Sequence, residues 1–396
     1  MHRRLRKLAR DVRAELSLPA AARRQRARDR RGPPARDPGI GPAVDAAIDW
    51  LCRAQDRSAS ADGGVARDFS LIKGWATSYP ETTGYIVPTL LDVAAERDDD
   101  GLRQRARRML GWLVSIQFTE GGFQGGKADV AEPVAVTFNT GQILLGLARG
   151  AAEFGDPCAE PMHRAARWLA DTQDADGCWR RHATPFAKPG EKTYETHVAW
   201  GLLEAARVAP DADYGEAGLR NVRWALTKQQ DNGWFADCCL SDATRPLTHT
   251  IGYALRGIVE AWRFSGDEQF LAAARRTADA IVRVTEPDGR LAGQWRSDWT
   301  PAAEWVCLTG SVQIAHSLLL LHRDTGEERY LDTGCRLNQW VRRTMDLDGP
   351  EDVRGGIKGS FPVDGAYGRY EYLNWAAKFF VDSNRCEQEC IVGPAS

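Results

Sequence analysis

Two short strings draw the eye for the chemistry their side chains could perform. Tyr79-Pro80-Glu81-Thr82-Thr83-Gly84-Tyr85 and Tyr194-Glu195-Thr196-His197 each set a phenol near a carboxylate, the second with an imidazole close by. Two carboxyls facing across a cavity can act as general acid and general base on a glycosidic bond. A phenol or imidazole can instead remove a proton beside a sugar carboxylate while an arginine pairs with that carboxylate. Glu81, Tyr194, Glu195 and His249 are the candidate catalytic residues on this reading. The candidate substrate-binding residues are Tyr79, Asn139, His197, Tyr253, Trp299, Glu304, Arg369, Tyr370, Glu371 and Lys378, with Arg369 as the carboxylate partner. The plainer alternative for Glu81 and Glu195 is an acid favoured by a helix N-terminus, and for the nearby threonines an N-cap. His316 reads as a core residue and His322 as a helix-end cation.

These residues are distant in sequence, and a repeat could bring them together. A helix-like stretch with Trp-Leu, then Gln, then a Gly-rich turn, then a Thr-led apolar stretch returns six times. The cleanest copy reads Arg164, Trp168, Leu169, Gln173, Asp176, Gly177, Trp179 and Thr196. Thr83, Thr140, Thr196, Thr250 and Thr309 are spaced by 57, 56, 54 and 59 residues, with 65 more to Asn374. A fixed period of this size signals a repeat architecture. The first helix of each unit is apolar on one face; the second, as in Gly141–Ala148 or Ser317–Leu321, is apolar all round and must be buried. Ser265-Gly266-Asp267-Glu268 and Thr325-Gly326-Glu327-Glu328 supply helix stops and acidic starts.

One helix pair cannot bury its own apolar face, so six pairs predict a closed ring. The predicted fold is all-α, an (α/α)6 toroid over residues 39–385, preceded by a basic arm at 1–38 and followed by a tail at 386–396. Segments leading into the inner helices would then rim one mouth of the barrel. Hydrogen-bonding side chains mixed with flat rings at that mouth suit a sugar better than a hydrocarbon.

The phrase Arg164-x3-Trp168-Leu169-x3-Gln173-x3-Gly177-x-Trp179 resembles the QW motif of squalene and hopene cyclases and of protein prenyltransferase β-subunits. As a repeat the resemblance covers most of residues 43–380. It implies the toroid, with Gln holding the next unit's helix and Trp stacked against it. Related toroids host sugar epimerases, glycoside hydrolases and polysaccharide lyases, so the fold alone does not name the chemistry. The Asp-x-Asp-Asp acid of the cyclases is absent from the inner segments, since Asp98-Asp99-Asp100 falls at the other end of its unit. The zinc pattern of the prenyltransferases is not matched by Asp237, Cys238, Cys239 and His249.

The net charge of −2 conceals an asymmetry: residues 1–36 hold 13 Lys and Arg against 3 acids. Leu5, Leu8, Ala9, Val12 and Leu16 share one helical face with basic residues opposite, a pattern suited to an anionic membrane surface. A solvated tail, or a helix docked on the acidic ring, are the alternatives for residues 1–31. Nucleic acid is not expected, because the ring itself is acidic. No apolar signal-peptide core and no membrane-spanning run are seen, and nine scattered cysteines suggest a reduced, cytoplasmic chain. No metal or cofactor motif is found, and Gly121–Gly126 is a repeat turn rather than a phosphate loop.

The sequence therefore predicts a cytoplasmic carbohydrate-active enzyme, a lyase, epimerase or hydrolase of polysaccharide metabolism, with its arm as the element that would bring it to the inner membrane face. The alternatives are a divergent cyclase-like or prenyltransferase-like enzyme acting on an isoprenoid, and a non-catalytic toroid scaffold.

Overall fold

The computed structural model describes residues 17–185 and 187–392. A short helix, α1 (Ala20–Asp29), precedes twelve helices that alternate between an outer and an inner ring. In chain order they are α2 (Ile40–Asp56), α3 (Pro80–Arg97), α4 (Asp100–Ser115), α5 (Thr137–Phe154), α6 (Asp156–Thr172), α7 (Thr196–Val208), α8 (Tyr214–Leu226), α9 (Thr248–Ser265), α10 (Glu268–Val284), α11 (Leu308–Thr325), α12 (Glu328–Arg342) and α13 (Asn374–Val392). Even-numbered helices from α2 onward are outer, and odd-numbered helices from α3 are inner. The fold is the expected (α/α)6 toroid. Burial follows the sequence pattern: α6 buries a stripe of Met162, Ala165, Ala166 and Leu169, whereas α11 is buried from Leu308 to Leu321 without a break. The core fills the space between the rings.

The repeat has the predicted period but a different spatial pairing. Inner helices pack extensively on one another, and of the outer helices each inner helix from α3 to α11 packs most on the one that follows it, as α3 on α4 and α5 on α6. Short turns make that pairing local. Gly266 and Gly326 end α9 and α11 in the left-handed conformation, and the Asp267 carboxylate accepts from Gln269 N at 2.9 Å to start α10. The last inner helix, α13, has no following helix and packs instead on α2, which closes the ring. Helix α13 continues through the segment read as a tail, and Cys386 is buried on it.

Neighbouring units are joined by a repeated clamp. Gln173 Nε2 donates to Gly177 O in its own turn and to Ala217 O on the next outer helix, both at 3.0 Å. Arg220, from that next helix, donates to Gln173 Oε1 at 2.9 Å. Gln117 with Arg164, and Gln229 with Arg276, repeat the arrangement. Each Gln thus bridges its own unit to the next outer helix. Gly177 sits at φ +95°, and a methyl group there would meet Arg220 O at 2.5 Å. The sixth turn does the same across the closure: Gly355 lies against Ala46 O of α2, and Trp50 Nε1 donates to Asp352 O at 2.9 Å.

The threonines are not N-caps. Helices α3 and α5 begin three residues earlier, and neither has a side-chain cap. Thr83 Oγ1 donates to Tyr79 O at 2.9 Å and accepts from Val65 N at 3.0 Å; Thr140 repeats this with Val136 O and Phe123 N. Each staples its unit's turn to the first turn of an inner helix. A hydroxyl satisfying a buried amide explains a threonine at this spacing better than a cap does.

Residues 1–16, which carry the predicted membrane-binding face, lie outside the described residues. The next part of the arm docks on the ring. Asp29 forms a buried ion pair with Lys358 at 2.7 Å and accepts from Val363 N at 2.8 Å. Ala22 packs with Val363 and Tyr370, while Asp37 pairs with Arg342 at 2.9 Å. No helix among the described residues is long and apolar enough to cross a membrane.

Two stability predictions follow from the clamp and the arm. Gly177→Ala forces a side chain into a left-handed, crowded position and should cost about 1–3 kcal/mol in chemical denaturation. Asp29→Ala leaves Lys358 buried without its partner and should cost ~3–5 kcal/mol, with Asp29→Ala/Lys358→Met recovering most of the loss.

Candidate functional site

The N-termini of the inner helices converge on one mouth, where a cavity of about 470 Å³ opens. Its walls are largely aromatic: Tyr79, Phe138, Tyr194, Tyr253, Tyr367 and Trp375. Phe138 lies edge-on to both Tyr194 and Tyr253, at 5.4 and 5.1 Å between ring centres. Glu81, His249, Arg67 and Lys127 supply the ionisable groups. The helices place these residues because their first turns carry them: Glu81 on α3, Phe138 on α5, and His249 with Tyr253 one turn apart on α9.

Burial sets the chemistry of Glu81. Removal from water pushes its carboxyl up to about 7, against the opposing influence of the Tyr79 hydroxyl and Arg67. Burial also raises the Tyr79 phenol well above its ordinary value. Near neutral pH Glu81 is therefore divided between acid and carboxylate, the state suited to proton transfer.

His249 is held as a neutral imidazole. Its Nδ1 lies 2.7 Å from Gln313 Oε1, and a carbonyl oxygen can only accept, so Nδ1 carries the proton and Nε2 the lone pair. Burial pulls its pKa down to about 4, with the Gln313 contact opposing. His197 repeats the device with Gln142 Oε1 at 2.6 Å. Both imidazoles stand 4.4 Å from the Tyr253 ring. His197 is fully buried and its Nε2 has no partner; Asn139 is also buried, and neither residue is part of the cavity lining. His197 and Asn139 thus lie behind the cavity wall.

Glu195 also lies outside the cavity lining. It follows Tyr194 in a short 3-10 turn (Thr193–Glu195), and its Oε2 is buried without a partner. Burial, opposed by Lys192, raises its carboxyl to about 8. The two carboxyls expected to face each other are therefore separated by the wall: Glu81 lines the cavity and Glu195 does not.

Other candidates fall elsewhere. Trp299 is packed against Trp234 and Trp295, with its Nε1 donating to Asn232 O at 3.0 Å. Glu304 and Arg369 are exposed, and Arg369 lies over the Tyr370 ring. Tyr370 is committed to the contact with α1. Glu371 reaches the site indirectly, through a 3.1 Å ion pair with Arg67. Lys378 is one turn too far along α13 and faces the opposite mouth, where it pairs with Asp382 at 2.6 Å.

Arg67 is the cation the sequence reading missed. It pairs with Asp68 at 2.5 Å and stacks 5.1 Å over Trp375. It lies on the segment entering a small sheet whose central strand β1 (Asp68–Ser70) pairs with both β2 (Gly74–Trp75) and, much later in the chain, Glu371–Leu373. That pairing has no repeat signature, so spacing does not reveal it. Tyr367, on a hairpin before α13, accepts from Trp375 Nε1 at 2.8 Å and lies 5.2 Å from the His249 ring.

The opposite mouth holds a second cavity of about 780 Å³. Tyr85, His197, Tyr253 and Phe379 fill the axis between the two, with Tyr85 and Phe379 rings 5.2 Å apart. Here Arg256 and Arg263 share the buried carboxylate of Glu260, and His316 Nδ1 contacts Arg256 at 2.9 Å. His316 therefore lines this cavity rather than the core. Among the described residues no group of three or more His, Cys, Asp or Glu is arranged to hold a metal ion. Cys238 is buried and donates to Thr250 O at 3.3 Å.

No family model matches the chain. A stretch of 101 residues is 35% identical to enfumafungin synthase of Hormonema carpetanum, covering 24% of this chain and 7% of that protein's length. Solved structures match over nearly the whole ring. A sugar epimerase from a ruminal bacterium aligns with a TM-score of 0.72 at 15% identity, covering 90% of this chain and 99% of its own. An unsaturated glucuronyl hydrolase from a Bacillus species gives 0.69 at 14% identity, covering 87% and 96%. Cellobiose 2-epimerase from Spirochaeta thermophila gives 0.68 at 15% identity, covering 88% and 95%. At these identities the likenesses establish the α/α toroid as the fold of this chain.

Proposed function

We propose that the protein is a carbohydrate-active enzyme that moves a proton at a sugar carbon, as an epimerase or lyase, in the aromatic cavity. The observation that carries this reading is the pairing, in one cavity, of a neutral His249 with Nε2 free to accept and Glu81 poised near neutrality. Flat rings of Tyr and Trp suit the faces of a pyranose, while Arg67 and Lys127 suit a carboxylate or hydroxyl. The names of three structural neighbours, two epimerases and a glucuronyl hydrolase, support the substrate class. Hydrolysis by paired carboxylates is less well supported, because Glu81 alone among the carboxyls lines the cavity.

In this mechanism His249 Nε2 takes the proton from the sugar carbon. The resulting negative charge spreads onto an adjoining carbonyl or carboxylate, which Arg67 faces. Glu81, protonated, returns a proton to the carbon from the other side in epimerisation, or to the departing oxygen in elimination. Gln313 fixes the tautomer on which the first step depends.

A second reading has its own support. The mainly aromatic wall would also suit an isoprenoid, and the partial likeness to enfumafungin synthase points the same way. Thermal-shift titration with uronic-acid oligosaccharides and with prenyl diphosphates separates the two. Stabilisation by a saccharide, with deuterium from solvent entering one sugar carbon, supports the first; stabilisation by the diphosphates alone overturns it.

Two predictions accompany the proposal. Glu81→Gln and His249→Ala should each lower saccharide turnover by roughly 10²- to 10⁴-fold with little change in melting temperature. Glu195 gives a stability test: its folded pKa of about 8 exceeds the ordinary carboxylate value of 4.5, so the folded state holds the proton more tightly. Its contribution therefore declines as pH rises between these values, by up to about 1.4 kcal/mol per pH unit. Glu195→Gln should gain stability relative to the parent between pH 6 and pH 8, read by denaturation at each pH.

A further inference from the structure

We propose that the exposed face of α1 and the linker after it form an outer subsite for a polyanionic glycan strand that leads into the aromatic cavity. This rests on the saccharide reading above. Arg23, Arg24, Arg28, Arg30, Arg31 and Arg36 are all exposed. The acids of the same stretch are turned inward, Asp29 onto Lys358 and Asp37 onto Arg342. The ring acids that meet the arm are shared or enclosed: Asp364 serves both Arg26 and Arg30, and Asp346 meets Arg28. The solvent side is left strongly positive on a ring that is otherwise acidic.

The position of this strip ties it to the cavity. The hairpin spanning residues 360–370 holds α1 on its back, through Val363, Asp364 and Tyr370. Its front presents Tyr367 to the cavity. Strip and cavity thus lie on the two sides of one hairpin, which Val363, Asp364 and Tyr370 join to α1 and Tyr367 joins to the cavity. Guanidinium groups bind carboxylates and sulfates through paired hydrogen bonds, and a row of them matches a strand carrying an acid on successive sugars. The composition favours a glycan over a bilayer. The exposed side of α1 carries Ala and Arg but no large apolar residue to enter lipid, and the buried Ala22 faces the ring.

The test uses the full chain and the variant Arg24→Gln/Arg31→Gln/Arg36→Gln, which keeps the Asp29–Lys358 pair. Binding is titrated with oligouronates of two sugars and of ten or more, at about 50 and 200 mM salt. The variant should bind the long oligouronate at least about ten-fold more weakly, with a shallower salt dependence, and the short one unchanged. Equal affinity for the long strand in parent and variant overturns the subsite. So does an equal loss on short and long strands. Loss of binding to anionic phosphatidylserine vesicles with no loss on the oligouronate assigns the strip to a membrane instead. If Glu81-dependent turnover of a short saccharide persists in any of these cases, only the subsite fails. If the parent binds and turns over no saccharide, the saccharide reading fails and the subsite falls with it.

Discussion

The structure depends on a glycine turn pressed against a carbonyl of the next outer helix. At Gly177 the absent side chain lets the turn touch Arg220 O, and Gln173 and Arg220 lock the contact with hydrogen bonds. The same contact at Gly355 and Ala46 joins the last unit to the first. Because the turn is fixed on one side to the outer ring, the threonine staple can fix it on the other to an inner helix. The positions of Glu81, Phe138 and His249 follow from this peripheral packing together with close contacts between the first turns of neighbouring inner helices, where Gly141 lies against Val198 and Gly310 against His249.

A second constraint is the common direction of the inner helices. All six run from the cavity toward the opposite mouth, and each terminus carries roughly half an elementary charge, positive at the start and negative at the end. This explains why the far mouth is crowded with arginines. Arg256, Arg263 and Lys378 line this mouth, and the three carboxylates of Glu260, Asp324 and Asp382 balance their charge. The near mouth has the reverse field, which favours an anionic substrate or the ionised form of Glu81. Burial works against that ionisation, and its balance with the Tyr79 hydroxyl and Arg67 is what leaves the carboxyl near neutrality.

The ring was legible in the sequence because its geometry is periodic. Gln117, Gln173 and Gln229, with the glycine turns that follow them, recur for the same physical reason in successive units, and the buried inner helices announce themselves by apolar residues on every side. The residues carried on first turns, Tyr79, Glu81, His249 and Tyr253, were legible for the same reason. What could not be read was whatever breaks the period. Arg67 and Tyr367 enter from a strand and a hairpin formed between the two ends of the chain. Glu195 stands one residue before Thr196 whereas Glu81 stands two before Thr83, so the repeat aligns Glu81 with Tyr194, which lines the cavity, and leaves Glu195 behind the wall in its 3-10 turn. Lys378 follows Asn374 by a full turn of helix, enough to move it past the aromatic layer and into the lining of the opposite cavity.

The closure of the ring by α13 on α2 has a consequence for biosynthesis. Five of the six helix pairs form between neighbours in the sequence and can assemble as they leave the ribosome. The sixth must wait for the final helix, more than three hundred residues after the first. Until then the growing chain is an open arc with an apolar flank at each end. The residues that complete the cavity, Tyr367 and Trp375, arrive in the same last segment, so the nascent protein acquires its ring and its aromatic cavity in one event.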